Sequence, residues 1–274
     1  MPFQTNSKID IPNFTHRLIS NYPGENATSG TGFIVDFNNS TWLFTCWHNI
    51  ELCESSQTVL TGKVMAETIS FVGGKPVTLN LRERRIVGCR VNGLHADIVA
   101  IELNPAEKPA PPYFLGKSYM NIEGVDFPKV FELQGPAGGE GLNVSITKHY
   151  LWQGYPGGNM SSGPVTYRAF DFPGSKSQHP WMLRYSPGGY PGASGCPIIE
   201  LNQEKQAMRI AGVHVHIIKV SKQHFDGHST LDGSAKTAIS NFEWGAAVPV
   251  ELLYVAIEDS AANGVSIIDL TVQP

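Results

Sequence analysis

Between Thr31 and Val248 almost every apolar run is too short for a helix and is rich in β-branched and aromatic residues. The first group is TGFIVDF (31–37), TWLFTCWH (41–48), VTLNL (77–81), RRIVGCRV (84–91) and DIVAIEL (97–103). The second is VFELQG (130–135), LNVSITKHYLW (142–152), VTYRAF (165–170), PWMLRY (180–185), CPIIEL (196–201), MRIAGVHVHIIKV (208–220) and EWGAAV (243–248). Such punctuation predicts strands joined by turns, with Asn38-Asn39-Ser40 closing the first hairpin. Only VELLYVAIEDSA (250–261), after Pro249, has a helical pattern. The proline-rich NPAEKPAPP (104–112) cannot supply ladder donors and divides the strands into two groups of about six. The expectation is an all-β chain of two small barrels or sandwiches with a cleft between them and a C-terminal helix. Its parts would be an extension over 1–27, a first unit over 28–112, a second over 113–248, and a helix and tail over 249–274.

Composition removes several function classes. A net charge of −4 gives no general attraction to nucleic acid or anionic membranes, and Arg82–Arg85 reads as solvated surface. The four cysteines, Cys46, Cys53, Cys89 and Cys196, have no C-x-x-C spacing. The N-terminus lacks the basic start and apolar stretch of a secretory signal, and no run is long enough to cross a bilayer. These features predict a cytoplasmic protein that binds neither nucleic acid nor membrane.

GYPGASGCPII (189–199) places one hydroxyl, Ser194, in a glycine-rich bend ahead of an apolar strand. Taken alone, Gly192–Pro197 is equally a plain turn before a core strand. The bend also allows successive backbone N–H groups to converge on an oxyanion beside the seryl oxygen. A G-x-S-x-G elbow does not fit, because Gly195 follows Ser194 directly. Serine needs a base, preferably an imidazole oriented by a carboxylate. His48 closes the strand Leu43-Phe44-Thr45-Cys46-Trp47, and Asp97 opens Ile98-Val99-Ala100-Ile101. The chain therefore offers the order His–Asp–Ser.

These pieces resemble chymotrypsin-like serine peptidases, nearest to the bacterial HtrA-like and glutamyl-endopeptidase branches. The likeness rests on Ser29-Gly30-Thr31-Gly32-Phe33-Ile34-Val35, the strand ending in His48, the run opening at Asp97, and Gly192-Ala193-Ser194-Gly195-Cys196-Pro197. Ile210-Ala211-Gly212-Val213-His214 and Gly245-Ala246-Ala247-Val248-Pro249 extend it. The resemblance implies two six-stranded antiparallel β-barrels with the site in their cleft. His48 would be the general base, Asp97 its orienting carboxylate, Ser194 the nucleophile, and the N–H groups of Gly192 and Ser194 the oxyanion hole. It also implies a serine endopeptidase that acts on protein or peptide substrates without a cofactor.

Gly212-Val213-His214 matches a Gly-x-His that, in related enzymes, reads Glu or Gln before the cut. Gly188 would lie at the pocket base and carries no carboxylate to attract Lys or Arg. Ala193 cannot pair with a freed N-terminal amine as an aspartate would, which leaves room for an activating or recruiting protein partner. Cys46 and Cys196 read as packing, and His95 as a surface or loop residue. His214 and His216 share a strand face by period two, with His224, Asp226 and His228 in the loop beyond. Their spacing matches no metal motif, and no metal is assigned. The alternative function is a non-catalytic or partner-gated peptide-binding module on the same fold.

Overall fold

The computed structural model describes residues 11–52, 66–72, 77–121, 148–155, 164–171, 182–186, 192–202, 204–219, 243–260 and 264–270. Among the described residues, two strongly curled antiparallel sheets and one α-helix make up the fold. The first sheet contains β1 (Thr15–Asn21), β2 (Thr28–Phe37), β3 (Ser40–Cys46), β4 (Thr68–Val72), β5 (Val77–Asn80), β6 (Ile86–Val91), β7 (Leu94–Leu103), β8 (Phe114–Leu115) and β16 (Val265–Asp269). Its path runs β16-β6-β7-β3-β2-β1-β4-β5, and β8 adds a short parallel pairing to β2.

The second sheet contains β9 (Met120–Asn121), β10 (His149–Gly154), β11 (Val165–Asp171), β12 (Leu183–Ser186), β13 (Pro197–Asn202), β14 (Ala207–Lys219) and β15 (Glu243–Pro249). Its path runs β13-β10-β11-β12-β15-β14, and β14 pairs back to β13. That closure joins six strands into a ring, with β9 attached to β14.

The first sheet has nine strands among the described residues instead of six, and its limits differ from the sequence reading. β1 lies inside the expected N-terminal extension yet is hydrogen-bonded on both sides, to β2 and β4. The expected C-terminal tail supplies β16, which pairs with β6 from Val265↔Val91 to Asp269↔Val87. The helix α1 (Glu251–Ile257) is shorter than the sequence pattern and ends well before Ala261. The expected strand at 130–135 and the start of the one at 142–152 lie outside the described residues, as does the loop at 221–242.

Packing explains why the strand runs read as continuously apolar. On β3, Trp42, Phe44 and Cys46 face one core and Leu43 faces another. On β2, Phe33 and Val35 divide from Ile34 in the same way. The larger core draws Phe33, Phe44 and Phe114 from the first sheet, Ile199, Val213 and Val248 from the second, and Leu253 and Tyr254 from α1. It is therefore the layer that joins the two sheets. The segment before β1 strengthens the joint, since buried Gln153 on β10 accepts the Phe14 N–H at 2.7 Å and donates to the Pro12 carbonyl at 3.2 Å.

Candidate active site

β3 ends at Cys46, and a 3₁₀ turn over Trp47–Asn49 carries His48 out of the sheet. β7 runs alongside β3 and supplies Asp97. It does not begin at Asp97 as the sequence suggested but extends back to Leu94. Between Gly88↔Val99 and Arg90↔His95 its register slips against β6, leaving extra residues on β7. Asp97 sits in this bulge with φ at +54°, a left-handed conformation uncommon for a residue with a Cβ. The bulge turns its carboxylate toward the 3₁₀ turn.

His48 Nδ1 lies 2.9 Å and 3.1 Å from the two Asp97 carboxylate oxygens, and the His48 backbone N–H donates to Oδ1 at 3.1 Å. A carboxylate only accepts, so Nδ1 carries the proton and Nε2 presents a lone pair. Burial works against a charged imidazole here, but the Asp97 charge and hydrogen bond outweigh it and raise the His48 pKa. Both side chains keep partial exposure, 30% and 23%.

Ser194 lies in a tight turn just ahead of β13. The Cys196 N–H donates to the Ala193 carbonyl at 2.9 Å, and Gly195 has φ at +89°, the pattern of a type II turn with Ser194 at its first corner. A Cβ on Gly195 would sit 2.0 Å from the Thr31 carbonyl, so no other residue fits there. The turn is tied to the first sheet. The Ser194 carbonyl accepts the Thr31 N–H at 2.9 Å and the Asn49 Nδ2 at 3.1 Å, and Thr31 Oγ1 donates to the Gly192 carbonyl at 2.9 Å. Asn49 is the residue after His48, so one 3₁₀ turn carries the imidazole and anchors the serine's loop. Asn49 and Thr31 were not singled out from the sequence. Their signal is a cross-sheet hydrogen bond, which has no sequence periodicity.

The nucleophile turn is also joined to β14. The Gly195 N–H donates to the His214 carbonyl at 2.8 Å, and the His214 N–H to the Cys196 carbonyl at 2.9 Å. The His214 side chain is 1% exposed, with Nδ1 2.5 Å from the Tyr185 hydroxyl. Burial, with smaller contributions from His216 and His48, depresses its pKa to about 3, while a hydrogen bond to the Ala246 backbone acts the other way. The ring is therefore neutral, and the Tyr185 hydroxyl, itself pushed well up by burial, is the donor. Tyr185 is a second residue that the sequence left unmarked.

Other expectations divide. A bulge between His214 and His216 breaks the period-two alternation, so His214 is buried and His216 is exposed instead of sharing a face. Gly212 is buried in β14, where a Cβ would meet the Val248 carbonyl at 2.7 Å. Gly188, His224, Asp226 and His228 lie outside the described residues. Cys46 and Cys196 are wholly buried, and burial pushes both thiols up, as packing residues require. His95 is not a free loop residue: it lies on β7, and its Nδ1 accepts the Asp97 backbone N–H at 3.0 Å. Among the described residues, the one group with metal-ligand atoms in mutual reach is Cys46, His48 and Asp97, within 4.8 Å. Its members are already paired, His48 with Asp97 and the Cys46 thiol with the His214 carbonyl at 3.0 Å.

This is a cluster of histidine, aspartate and cysteine beside a glycine-framed serine turn, on an all-β fold resembling the double β-barrel of chymotrypsin-like proteases. No protein-family model matches the chain, and no curated protein matches it. Among solved structures, it is similar to a tobacco vein mottling virus protease at 12% identity and a TM-score of 0.46, covering 94% of this chain and 89% of that one. It is also similar to a serine endoprotease from Yersinia pestis (13%, TM-score 0.44, 91% and 67%) and to the protease Anisep from Arthrobacter nicotinovorans (11%, TM-score 0.45, 90% and 91%). Nothing about the chemistry carries over from likenesses this distant, and the fold rests on the strand pairings above.

Proposed function

We propose that the protein is a serine endopeptidase. In this reading Ser194 Oγ attacks the scissile carbonyl and His48 Nε2 takes its proton. Asp97 holds the ring in the Nδ1–H tautomer and stabilises the imidazolium that forms. The N–H groups of Gly192 and Ser194 receive the oxyanion, and the imidazolium then protonates the leaving amine. Water, activated by His48, releases the acyl group. The carrying observation is the His48–Asp97 pair, made through both Nδ1 and the His48 backbone N–H and set in the same turn that anchors the Ser194 loop.

The Gly212-Val213-His214 match supports a preference for Glu or Gln before the cut, and the neutral His214 offers no positive charge to a Glu. A second reading, a cleft that binds peptide without cutting it or opens only with a partner, draws on one observation. His214 is buried and hydrogen-bonded both to Tyr185 and to the Ala246 backbone.

Intact-mass analysis after fluorophosphonate treatment separates these readings. One adduct on the wild type, absent in Ser194→Ala and slowed at least about a hundredfold in His48→Ala, is the expected result. No adduct on folded wild type would overturn the endopeptidase reading and favour the gated or non-catalytic one. Cleavage of a peptide library is then expected only directly after Gln and Glu.

A further inference from the structure

We propose that His95 is a positioning residue for Asp97: its unprotonated Nδ1 accepts the Asp97 backbone N–H and so holds the bulge that aims the carboxylate at His48. This rests on the reading of His48 and Asp97 as base and orienting carboxylate, although its test does not require turnover.

Three observations carry the proposal. First, a backbone N–H can only donate, so the 3.0 Å contact from Asp97 N to His95 Nδ1 fixes the ring as the neutral Nε2–H tautomer and fixes its orientation. Second, the residue held is one whose φ of +54° is sterically disfavoured, so its backbone needs an external restraint. Third, His95 Nε2 is buried without a hydrogen-bond partner. The ring is therefore kept in place by the Asp97 contact and by Trp47, whose ring meets it edge-on at 4.6 Å. Trp47 is fastened in turn by its Nε1–H to Glu51 at 2.7 Å and directly precedes His48. The ring thus links the strand that supplies the carboxylate to the turn that supplies the base. The charged groups around it are Asp97 on its own strand, Arg90 across the pair on β6, and Glu51 beyond the 3₁₀ turn. Burial dominates among these influences and favours the neutral ring.

The test compares His95→Leu, which keeps apolar bulk but has no acceptor, with His95→Asn, whose Oδ1 can accept the same N–H. ¹H–¹⁵N spectra of the wild type should show His95 Nδ1 unprotonated and Nε2 protonated at neutral pH. In His95→Leu, His48 should titrate lower by about half a pH unit or more, because Asp97 no longer faces it squarely, and His95→Asn should restore the wild-type midpoint. Where turnover is measurable, kcat should fall about tenfold in His95→Leu with KM nearly unchanged, and recover in His95→Asn. An Nδ1–H tautomer in the wild type, or an unchanged His48 midpoint in His95→Leu, overturns the proposal. If His95→Leu does not fold, the wild-type tautomer decides alone. If the wild type turns over no peptide, the endopeptidase reading fails while the NMR arms still decide the role of His95.

Discussion

His48 and His214 belong to neighbouring regions that treat the same side chain in opposite ways. In the first sheet, a short turn leaves the His48 ring partly exposed beside a carboxylate, and its pKa rises despite the burial that opposes it. In the second sheet, a closed ring of strands buries His214 against Tyr185, and its pKa falls to about 3. A group meant to take up a proton needs a nearby negative charge and room for the proton's source. A group meant to donate one hydrogen bond of fixed polarity needs its charge suppressed and its tautomer locked. In the proposed reading, the first sheet would supply the proton chemistry and the closed ring the recognition. The Ser194 turn, hydrogen-bonded to both, is their meeting point.

The largest expected effect comes from removing the charge that separates the two histidines. Asp97→Asn keeps the shape of the site but can donate to His48 Nδ1, which favours the wrong tautomer. A fall in kcat of roughly 10³- to 10⁴-fold is expected, the scale known for such a change in a triad. The acid limb of kcat/KM should also move down in pH, since only burial, which lowers the His48 pKa, would remain. An acid limb at the wild-type pH would mean that Asp97 does not set the His48 ionisation. A smaller effect is expected on the recognition side. Tyr185→Phe removes the donor to His214 Nδ1 and should lower kcat/KM for Gln-containing peptides about tenfold, the worth of one buried hydrogen bond. Fluorophosphonate labelling of Ser194 should stay at the wild-type rate. A parallel loss of labelling would assign Tyr185 to the whole nucleophile turn instead of the pocket.

The legibility of these regions differed for physical reasons. β2, β3 and β7 were visible because both of their faces are buried, giving dense apolar runs. β1 was not, because its buried positions include Thr15, Arg17 and Ser20, which a search for apolar alternation passes over. β16 was missed because only Ile268 among its residues is buried. The end of β3 that leads into His48 was readable from its local run, and so was the glycine turn around Ser194, since Gly195 occupies a conformation and a space no other residue fits. The bulge that aims Asp97 was not, because a register slip depends on the partner strand β6. For the same reason His95 looked like a loop residue, and the bulge after His214 made the pairing with His216 misleading. Tyr185, Thr31 and Asn49 act through hydrogen bonds between distant segments, for which one strand's pattern carries no trace.

A further expected effect is on stability, and it has opposite signs at His214 and His48. For His214 the unfolded chain binds a proton near the ordinary 6.5, whereas the folded chain resists it down to about 3. Between those values the unfolded state holds the extra proton, so stability falls as pH drops through this window, by at most roughly 1.4 kcal/mol per pH unit for one group. His16 and His95 are also held below their ordinary values by burial and slope the same way. His48, with a raised pKa, contributes stability that is present below 6.5 and lost as pH rises through its folded value. Urea unfolding of the wild type and His214→Gln at pH 7.5, 6 and 4.5 isolates the His214 share, since the other histidines are common to both proteins. The wild type should lose more stability than the variant between pH 6 and 4.5, and the two should run parallel above pH 6.5. Parallel curves throughout would mean that His214 gains a proton in the folded state as readily as in the unfolded one. The neutral, Tyr185-locked ring would then no longer distinguish the second sheet from the first.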